Sequence, residues 1–457
     1  MTESPHWAAD AIFYHIYPLG FCGTPARNDF SSSPLNRLQK VRDWLPHLQR
    51  LGFNALYLGP LFESTAHGYD TADYYWVDRR LGDAAALADL SADLHQRGMR
   101  LILDGVFNHV GRDFWAFRDL QHNRQSSPYR DWFAGLRFDA RSPYGDPFSY
   151  EPWNGHYDLV RLNLANPAVR EHLFEAIRSW VRDFDIDGLR LDVADCLDLD
   201  FLGALHAFCT TLKPDFWLMG EVVHGDYRRW VNPQTLDSVT NYEAYKGLYS
   251  SLAEQNYFEI AYALNRQFGP GGLYAGLPLY NFTDNHDVDR VASKLLDSAH
   301  LYPLYLLLFT MPGVPSIYYG SEWGLKGQRT PHSDSALRPC LDLAGMQRTA
   351  PHPNLPDDIA RLAALRQGLP ALRHGDYSQL HVAAQQLAFI RATAQQTVVV
   401  LLNAAPAPAA LTVKVPAGFV SAVDHLNAGN AFPVENGSLS VELPASWGRV
   451  LRLERAK

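Results

Sequence analysis

The feature that most constrains the fold is a regular alternation of strand patterns and helix patterns along the chain. Runs rich in β-branched and aromatic residues occur at AIFYHIYP (11–18), NALYLGP (54–60) and RLILDGVF (100–107). Leucine and valine at spacings of three and four residues between these runs predict amphipathic helices. Further strand candidates begin near Asp187, Phe216, Ser238, Leu277 and Pro315. Eight strands with intervening helices predict an α/β fold, a closed parallel (β/α)8 TIM barrel.

Two departures from this alternation predict additional domains. The third and fourth strand candidates, at Arg100 and Asp187, start 87 residues apart, whereas the second and third start 46 apart. The surplus predicts a small inserted subdomain after strand 3. After a last helix near residues 357–366, short alternating segments such as QTVVVLLN and SLSVELP predict a C-terminal all-β sandwich. The predicted units are the first part of the barrel (1–110), the inserted subdomain (111–161), the second part of the barrel (162–376) and the β domain (377–457).

Charge and cysteine content exclude several classes of protein. The chain has 40 basic and 49 acidic residues, a net charge of −9, which argues against nucleic-acid binding and a polybasic membrane anchor. It lacks the run of about 18 apolar residues that a transmembrane helix needs. Four scattered cysteines without a CxxC pair, and an amino terminus unlike a signal peptide, predict a cytoplasmic protein.

Residues suited to acid and base chemistry follow the predicted strands at their carboxyl ends, where a parallel barrel carries its active site. The candidates are Asp104, Asn108, His109, Arg190, Asp192, Glu221, His224, His286 and Asp287. Alone, each has a structural explanation, such as an ion pair between Arg190 and Asp192. Together they favour a functional site, because several buried carboxylates at one rim are costly unless their perturbed titration is used.

The chemistry that fits these residues best is cleavage of a glycosidic bond. One carboxylic acid protonates the leaving oxygen, and the other attacks the anomeric carbon or activates water. Phosphoryl transfer is disfavoured because the chain has no GxxxxGK[ST] loop. A metal hydrolase is disfavoured because HExxH and CxxC spacings are absent.

The ordered motifs DGVFNH, GLRLDVAD, GEVV and FTDNHD resemble the α-amylase family, glycoside hydrolase family 13, over nearly the whole chain. The resemblance implies that Asp192 is the nucleophile, Glu221 the general acid and base, and Asp287 a third carboxylate that stabilises the distorted sugar. It also implies a set of residues that bind the sugar at the cleavage point. These are Tyr69, on which the sugar stacks, Asp70, His109, Arg190, His286, Asp334 and Arg338.

This assignment carries expectations about charge and distance. Arg190 should keep Asp192 ionised, and a negative neighbour should raise the proton affinity of Glu221. A retaining mechanism places the two carboxyl groups about 5 to 5.5 Å apart. The sequence leaves open whether three further aromatic residues stack on sugars or pack in the core: Trp153, Tyr157 and Trp323.

Arg161 in HYDLVRLNLANP, His224 and the segment LDSVTNYEAY resemble the cyclomaltodextrinase, neopullulanase and maltogenic amylase group. This implies retaining hydrolysis of α-1,4 bonds in short or cyclic maltodextrins, with transglycosylation, and a maltooligosaccharide or cyclodextrin as the partner. An α-amylase or an exo-acting α-glucosidase is the alternative, and a non-catalytic sugar-binding protein is a rival from another class. The first strand starts about eleven residues in, so we expect no counterpart of that group's amino-terminal dimerisation domain. The oligomeric state stays open.

No cofactor and no metal ligand is expected. In α-amylases the residue matching Asn108 would bind a structural calcium ion, helped by the stretch after the nucleophile. That stretch usually reads Lys-His, whereas this chain has Asp195 and Cys196. A structural role for Asn108 is therefore the preferred hypothesis, with structural calcium as the alternative.

Overall fold

A ring of parallel strands positions everything else in the molecule. The computed structural model describes residues 6–456, and in this part of the chain eight strands form one parallel sheet. The strands are β1 (Phe13–Ile16), β2 (Ala55–Leu58), β3 (Arg100–Gly105), β4 (Gly188–Leu191), β5 (Trp217–Gly220), β6 (Ser238–Val239), β7 (Tyr280–Phe282) and β8 (Val314–Tyr318). Each strand pairs with the next in the chain from β1 to β6, and β8 pairs with both β7 and β1. A parallel bridge between Thr240 and Tyr280 joins the remaining edges, so the predicted barrel is confirmed.

The strands are short continuous apolar runs because both of their faces are covered. Every residue of β1, β2, β4 and β5 is buried. Parallel strands need crossover connections, and helices supply them on the outer face. Outside the inserted segment, the helices of seven or more residues are Gln39–Arg50, Ala84–Gln96, Pro167–Phe184, Leu199–Leu212, Tyr242–Ala253, Phe258–Phe268, Leu301–Thr310, Leu343–Thr349 and Leu355–Gly368. None of the helices within residues 6–456 is long and apolar enough to cross a membrane.

Local sequence signals account for two of these helices. The side chain of Asn166 accepts a hydrogen bond from the Ala168 N–H, and Pro167 follows as the first helical residue. Gln39–Arg50 contains Pro46 yet is a single helix. Its Val41, Trp44, Leu45 and Leu48 side chains are buried, so tertiary packing outweighs the local cost of the proline.

The segment between β3 and β4 leaves the barrel and covers part of its rim. Three short strands, His109–Gly111, Pro152–Trp153 and His156–Arg161, form an antiparallel sheet with His156–Arg161 in the middle. A helix, Trp115–Asn123, packs beside them. The first strand begins at His109, so this segment carries His109 directly after the end of β3.

An antiparallel domain follows the barrel, as predicted. Its strands are β9 (Asp376–Val382), β10 (Gln386–Ala392), β11 (Thr397–Asn403), β12 (Ala409–Lys414), β13 (Phe419–Asp424), β14 (Ala431–Glu435), β15 (Ser438–Leu443) and β16 (Trp447–Arg455). The order across the sheet is β9-β10-β11-β16-β13-β14-β15-β12. Val399 and Leu401 of β11 share one apolar core with Leu411 of β12 and Leu439 of β15, so the sheet folds over itself into two packed layers.

Candidate active site

One arginine side chain organises the carboxyl end of the barrel. Nη1 of Arg190, in β4, lies 2.9 Å from Asp104 Oδ1 and 2.9 Å from Asp192 Oδ1. Its Nη2 lies 2.7 Å from Glu221 Oε2. All four side chains are almost completely buried. The structure therefore brings Asp192 and Glu221 together on adjacent nitrogens of one guanidinium and adds Asp104 to them.

Barrel register and a tight turn produce this arrangement. Asp104 and Arg190 face each other across β3 and β4, and Asp192 and Glu221 follow the last residues of β4 and β5. Val193 adopts a left-handed backbone conformation with φ +41°, which is unusual for a β-branched residue. Its N–H donates to Glu221 Oε2 at 3.2 Å. The strained turn thus links the residue after Asp192 to Glu221.

The electrostatics of the buried pair differ from the expectation. Burial raises the pKa of Asp192 well above its usual range; Arg190 opposes this, and the charges of Glu221 and Asp104 raise the pKa further. The expectation that Arg190 keeps Asp192 ionised is wrong for the free site, because burial and two neighbouring carboxylates outweigh the effect of the one guanidinium. Adjacent carboxylates titrate as a pair. The pair therefore holds a proton to a higher pH than an isolated carboxylate would.

The third predicted carboxylate lies in a second cluster, which is joined to the first through the Tyr69 hydroxyl, a contact of both Asp104 and His286 Nε2. Asp287 follows β7 in a turn where its N–H donates to Asn285 Oδ1 at 2.8 Å. Its carboxylate lies 2.9 Å from His286 Nε2 and 3.0 Å from Arg338 Nη2. Arg338 Nη2 also lies 2.8 Å from Asp334 Oδ2. Burial acts to raise the pKa of Asp287, but His286 and Arg338 outweigh it and lower the pKa, which favours the ionised carboxylate.

Aromatic rings form one wall of the site. The rings of Tyr69 and His286 are stacked, with centroids 5.4 Å apart, and Tyr17 stacks on His286 at 5.7 Å. The hydroxyl of Tyr69 donates to Asp104 Oδ2 at 3.0 Å, and the hydroxyl of Tyr57 donates to the same oxygen at 2.9 Å. Tyr69 is therefore held by a hydrogen bond at one end and by stacking on one face.

Unlike the other predicted site residues, Asp70 has its carboxylate hydrogen-bonded to the backbone of its own loop. It is 6% exposed, and its Oδ1 accepts the backbone N–H groups of His67 and Gly68, each at 3.1 Å. These bonds fold the loop that leads into Tyr69. The carboxylate of Asp70 therefore fixes the position of Tyr69 in this structure.

His109 lies at the edge of the carboxylate pair. Its Nε2 is 3.9 Å from Asp192 Oδ2 and has no hydrogen-bond partner among the described residues. Burial and the charge of His67 lower the pKa of His109 to about 3, so the imidazole is neutral. The ring of Trp153 lies 5.5 Å from that of His109, which places this half-buried indole next to the site.

The structure separates the other aromatic and histidine candidates. Trp323 is 2% exposed and stacks on His47 at 4.7 Å, so it belongs to the core. The backbone carbonyl of Tyr157 accepts the Tyr150 hydroxyl, and the two rings pack 5.6 Å apart inside the inserted segment. His224 is exposed.

Sequence reasoning missed three tyrosines of the site. Tyr57 and Tyr17 lie at the ends of β2 and β1, so the rule that selects carboxyl ends of strands would have found both. Tyr242 begins the helix Tyr242–Ala253, and its hydroxyl donates to Glu221 Oε1 at 3.2 Å. No strand pattern indicates that contact, because Tyr242 reaches the site from a helix.

Asn108 is hydrogen-bonded to neighbouring protein groups. Its Nδ2 lies 3.1 Å from His109 Nδ1, and its backbone carbonyl accepts the Leu162 N–H at 3.0 Å. Within residues 6–456, no three His, Cys, Asp or Glu side chains come together as a metal site. The contacts of Asn108 tie the end of β3 to the inserted segment.

Comparison with known proteins identifies the family. The Alpha amylase, catalytic domain family matches residues 15–350 of the chain. The chain belongs to the α-amylase family. It is a glycoside hydrolase of that family, for which a retaining mechanism is general.

Relatives within the α-amylase family place the chain more narrowly. It is 34% identical over 428 residues to a cyclomaltodextrinase of a Bacillus species, with 88% of this chain and 74% of that protein covered. It is 32% identical over 349 residues to the intracellular maltogenic amylase of Bacillus subtilis, with 72% of this chain and 58% of that protein covered. Its structure resembles that of a cyclomaltodextrinase with a TM-score of 0.86 at 29% identity, covering 99% of this chain and 79% of the other.

Proposed function

We propose that this protein is a retaining α-glucan hydrolase of the cyclomaltodextrinase type, which cleaves α-1,4 bonds of short or cyclic maltodextrins. The observation that carries the proposal is the contact of Asp192 and Glu221 with neighbouring nitrogens of Arg190. Two carboxyl groups held this close suit a retaining enzyme, in which they are about 5 to 5.5 Å apart. An inverting enzyme needs a wider gap for water between them.

Asp192 and Glu221 have different roles in the reaction: Asp192 is the nucleophile, and Glu221 is the general acid and base. A carboxylate oxygen of Asp192 attacks the anomeric carbon, the bond to the leaving oxygen breaks, and Glu221 gives that oxygen its proton. In the second step Glu221 takes a proton from water, the water oxygen attacks the anomeric carbon, and the bond to Asp192 breaks. A sugar hydroxyl in place of water gives transglycosylation.

The proton on the buried pair prepares the site for the first step. When Asp192 and Glu221 together hold one proton, the free enzyme has both the carboxylic acid and the carboxylate that bond cleavage requires. When substrate enters, the proton resides on Glu221 and Asp192 is the anion, which Arg190 stabilises at 2.9 Å. The contact of Glu221 Oε1 with the Tyr242 hydroxyl orients the acid.

The remaining residues bind and orient the sugar. Tyr69 offers its ring for stacking, and neutral His109 offers a hydrogen-bonding nitrogen near Asp192. Asp287, kept ionised by His286 and Arg338, binds sugar hydroxyls and stabilises the distorted ring as positive charge develops. Asp334 holds Arg338 in place.

The names of the relatives support both the substrate and the compartment. The protein matched over 428 residues is named cyclomaltodextrinase, which supports cyclodextrins and maltooligosaccharides as substrates. The Bacillus subtilis relative is named intracellular, which supports a cytoplasmic location. An α-amylase or exo-acting α-glucosidase is the alternative within the family. Initial rates on β-cyclodextrin, maltotriose, pullulan and soluble starch separate these activities, and a preference for starch would refute the proposal.

Substitution of the two carboxylates tests the mechanism. Asp192→Asn and Glu221→Gln should each reduce turnover of maltotriose by at least about 1,000-fold, since each removes one half of the acid and nucleophile pair. Asp195→Asn is the matched control, because this carboxylate is exposed and lies three residues after Asp192. The roles are refuted if either variant keeps turnover near that of Asp195→Asn.

A further inference from the structure

Two arginine side chains at the opposite end of the barrel are buried without acidic partners. Arg366 and Arg391 are 0% and 1% exposed. Nη1 of each donates to the same carbonyl, that of Leu372, at 3.0 and 2.9 Å. The two guanidinium groups are therefore direct neighbours, and among residues 6–456 neither has a salt bridge to a carboxylate.

Carbonyl groups satisfy the hydrogen bonds of these arginines but not their charge. Nη1 of Arg366 donates to the Phe309 carbonyl at 2.9 Å and Nη1 of Arg391 to the Thr310 carbonyl at 2.7 Å, both at the end of helix Leu301–Thr310. A helix end supplies only about half a negative charge. Burial and nearby positive charge lower the pKa of Arg366 and of Arg391 to about 9. Buried charges in proteins are normally paired.

A cavity of about 220 Å³ opens beside them, between the amino-terminal end of the barrel and the β domain. Arg391, Arg373 and Tyr377 line it, together with backbone around Gly276 and Gly313. Nη2 of Arg391 uses one of its two N–H groups, on the Gly375 carbonyl. The Tyr377 side chain is 2% exposed, and its hydroxyl has no hydrogen-bond partner among the described residues.

The acidic groups at this cavity leave a positive excess. Asp10 Oδ1 lies 2.5 Å from Arg373 Nη1 and 2.8 Å from His374 Nε2, so it is already engaged. Asp376 is exposed at the rim. Neither carboxylate forms a salt bridge with the two buried arginines within residues 6–456.

We propose that this cavity binds a small tetrahedral oxyanion, with inorganic phosphate as its ligand. The oxyanion accepts hydrogen bonds from Tyr377 and Arg391 and offsets the charge of the two buried arginines. Binding joins Tyr377 of β9 and Arg391 of β10 to the barrel backbone around Gly276 and Gly313, so it stabilises the contact between barrel and β domain. The site is at the end of the barrel away from the catalytic carboxylates, so it acts on stability and leaves turnover unchanged.

Thermal unfolding in phosphate and in sodium chloride of equal ionic strength tests the proposal. Phosphate at ten times its Kd should raise the Tm of the wild type by about 1 to 2 °C over chloride. Tyr377→Phe should lose most of that rise, and so should Arg373→Gln, which alters a more exposed lining residue. Tyr257→Phe is the matched control, since Tyr257 is also a buried tyrosine with an unpartnered hydroxyl but does not line the cavity.

Isothermal titration of phosphate into the wild type and the three variants gives the second measurement. Binding that Tyr377→Phe or Arg373→Gln weakens at least fivefold, and Tyr257→Phe leaves intact, supports the site. An equal rise of Tm in chloride overturns the proposal, and so does a phosphate effect that is the same in Tyr377→Phe and in the wild type.

Discussion

Asp104→Asn tests how the buried charges set the pH dependence of the enzyme. Asp104 Oδ1 and Asp192 Oδ1 each lie 2.9 Å from Arg190 Nη1, so the two oxygens are at most about 6 Å apart. At an effective dielectric constant near 20, unit charges at this distance interact by about 3 kcal/mol, or about 2 pH units. Asparagine keeps the shape and removes the charge. We therefore expect the pKa of the proton shared by Asp192 and Glu221 to fall by about 1 to 2 units.

The sign of the effect on catalysis follows from which group must be protonated. The acid needs its proton, so the alkaline limb of the kcat/KM profile reports loss of the proton from the pair. Removing the negative charge of Asp104 makes that loss easier, and the alkaline limb moves to lower pH. The measurement is kcat/KM on maltotriose from pH 4 to 9.

Tyr57→Phe is the matched control for this experiment. It removes a hydrogen bond to Asp104 Oδ2, 2.9 Å long, and changes no charge. Its alkaline limb should stay within about 0.3 pH units of the wild type, since a neutral contact contributes less to the titration than a full charge. The reasoning is refuted if Asp104→Asn leaves the limb in place or moves it upward while the Tm shows a folded protein.

Three further predictions concern positioning and stability. Arg338→Lys cannot hold Asp287 and Asp334 together, so kcat/KM on maltotriose should fall by about 100-fold; wild-type kinetics would contradict this. Asp70→Ala frees the N–H groups of His67 and Gly68 and should lower both Tm and kcat/KM, whereas Asp70→Asn, which keeps the acceptor, should recover most of both. Asn166→Ala should cost about 1 kcal/mol of unfolding free energy in urea denaturation, with turnover at 25 °C unchanged.

Sequence patterns predict the barrel because its strands are buried on both faces. The eight apolar runs are short and bounded by helices, and each corresponds to a strand in the structure. Strand ends are predicted less well: the candidate near Leu277 becomes β7 at Tyr280, because the N–H groups of Leu277 and Leu279 form turn hydrogen bonds to the carbonyls of Tyr274 and Leu277. The local sequence does not show whether an aromatic side chain packs in the core or lies at the site. Trp323 and Trp153 look alike in sequence, yet His47 stacks on the first in the core and His109 lies beside the second at the rim.

Candidate site residues are predictable where chemistry and strand position coincide, as for Asp192 and Glu221. The number of carboxylates that contact Arg190 is not predictable in this way. Arg190 and Asp192 are two residues apart, which indicates an ion pair, whereas the sequence places Asp104 at the same rim without indicating that it contacts Arg190. That contact exists because β3 and β4 are paired with Asp104 opposite Arg190. The titration of the site is therefore a property of strand register.

The pairing register of β3 and β4 determines both the packing of the barrel and the contacts of the active site. A shift of β3 against β4 by one residue would turn Asp104 away from Arg190 and replace it with an apolar neighbour. Arg190 would then have fewer carboxylates to hold, and the pKa of Asp192 would lose one of the charges that raise it. The same shift would exchange the side chains that face the barrel interior with those that face the helices, so packing on both faces of the strand would be lost. Packing of the strands thus determines which carboxylates share Arg190, and the Val193 turn and the Tyr242 hydroxyl orient Glu221 further.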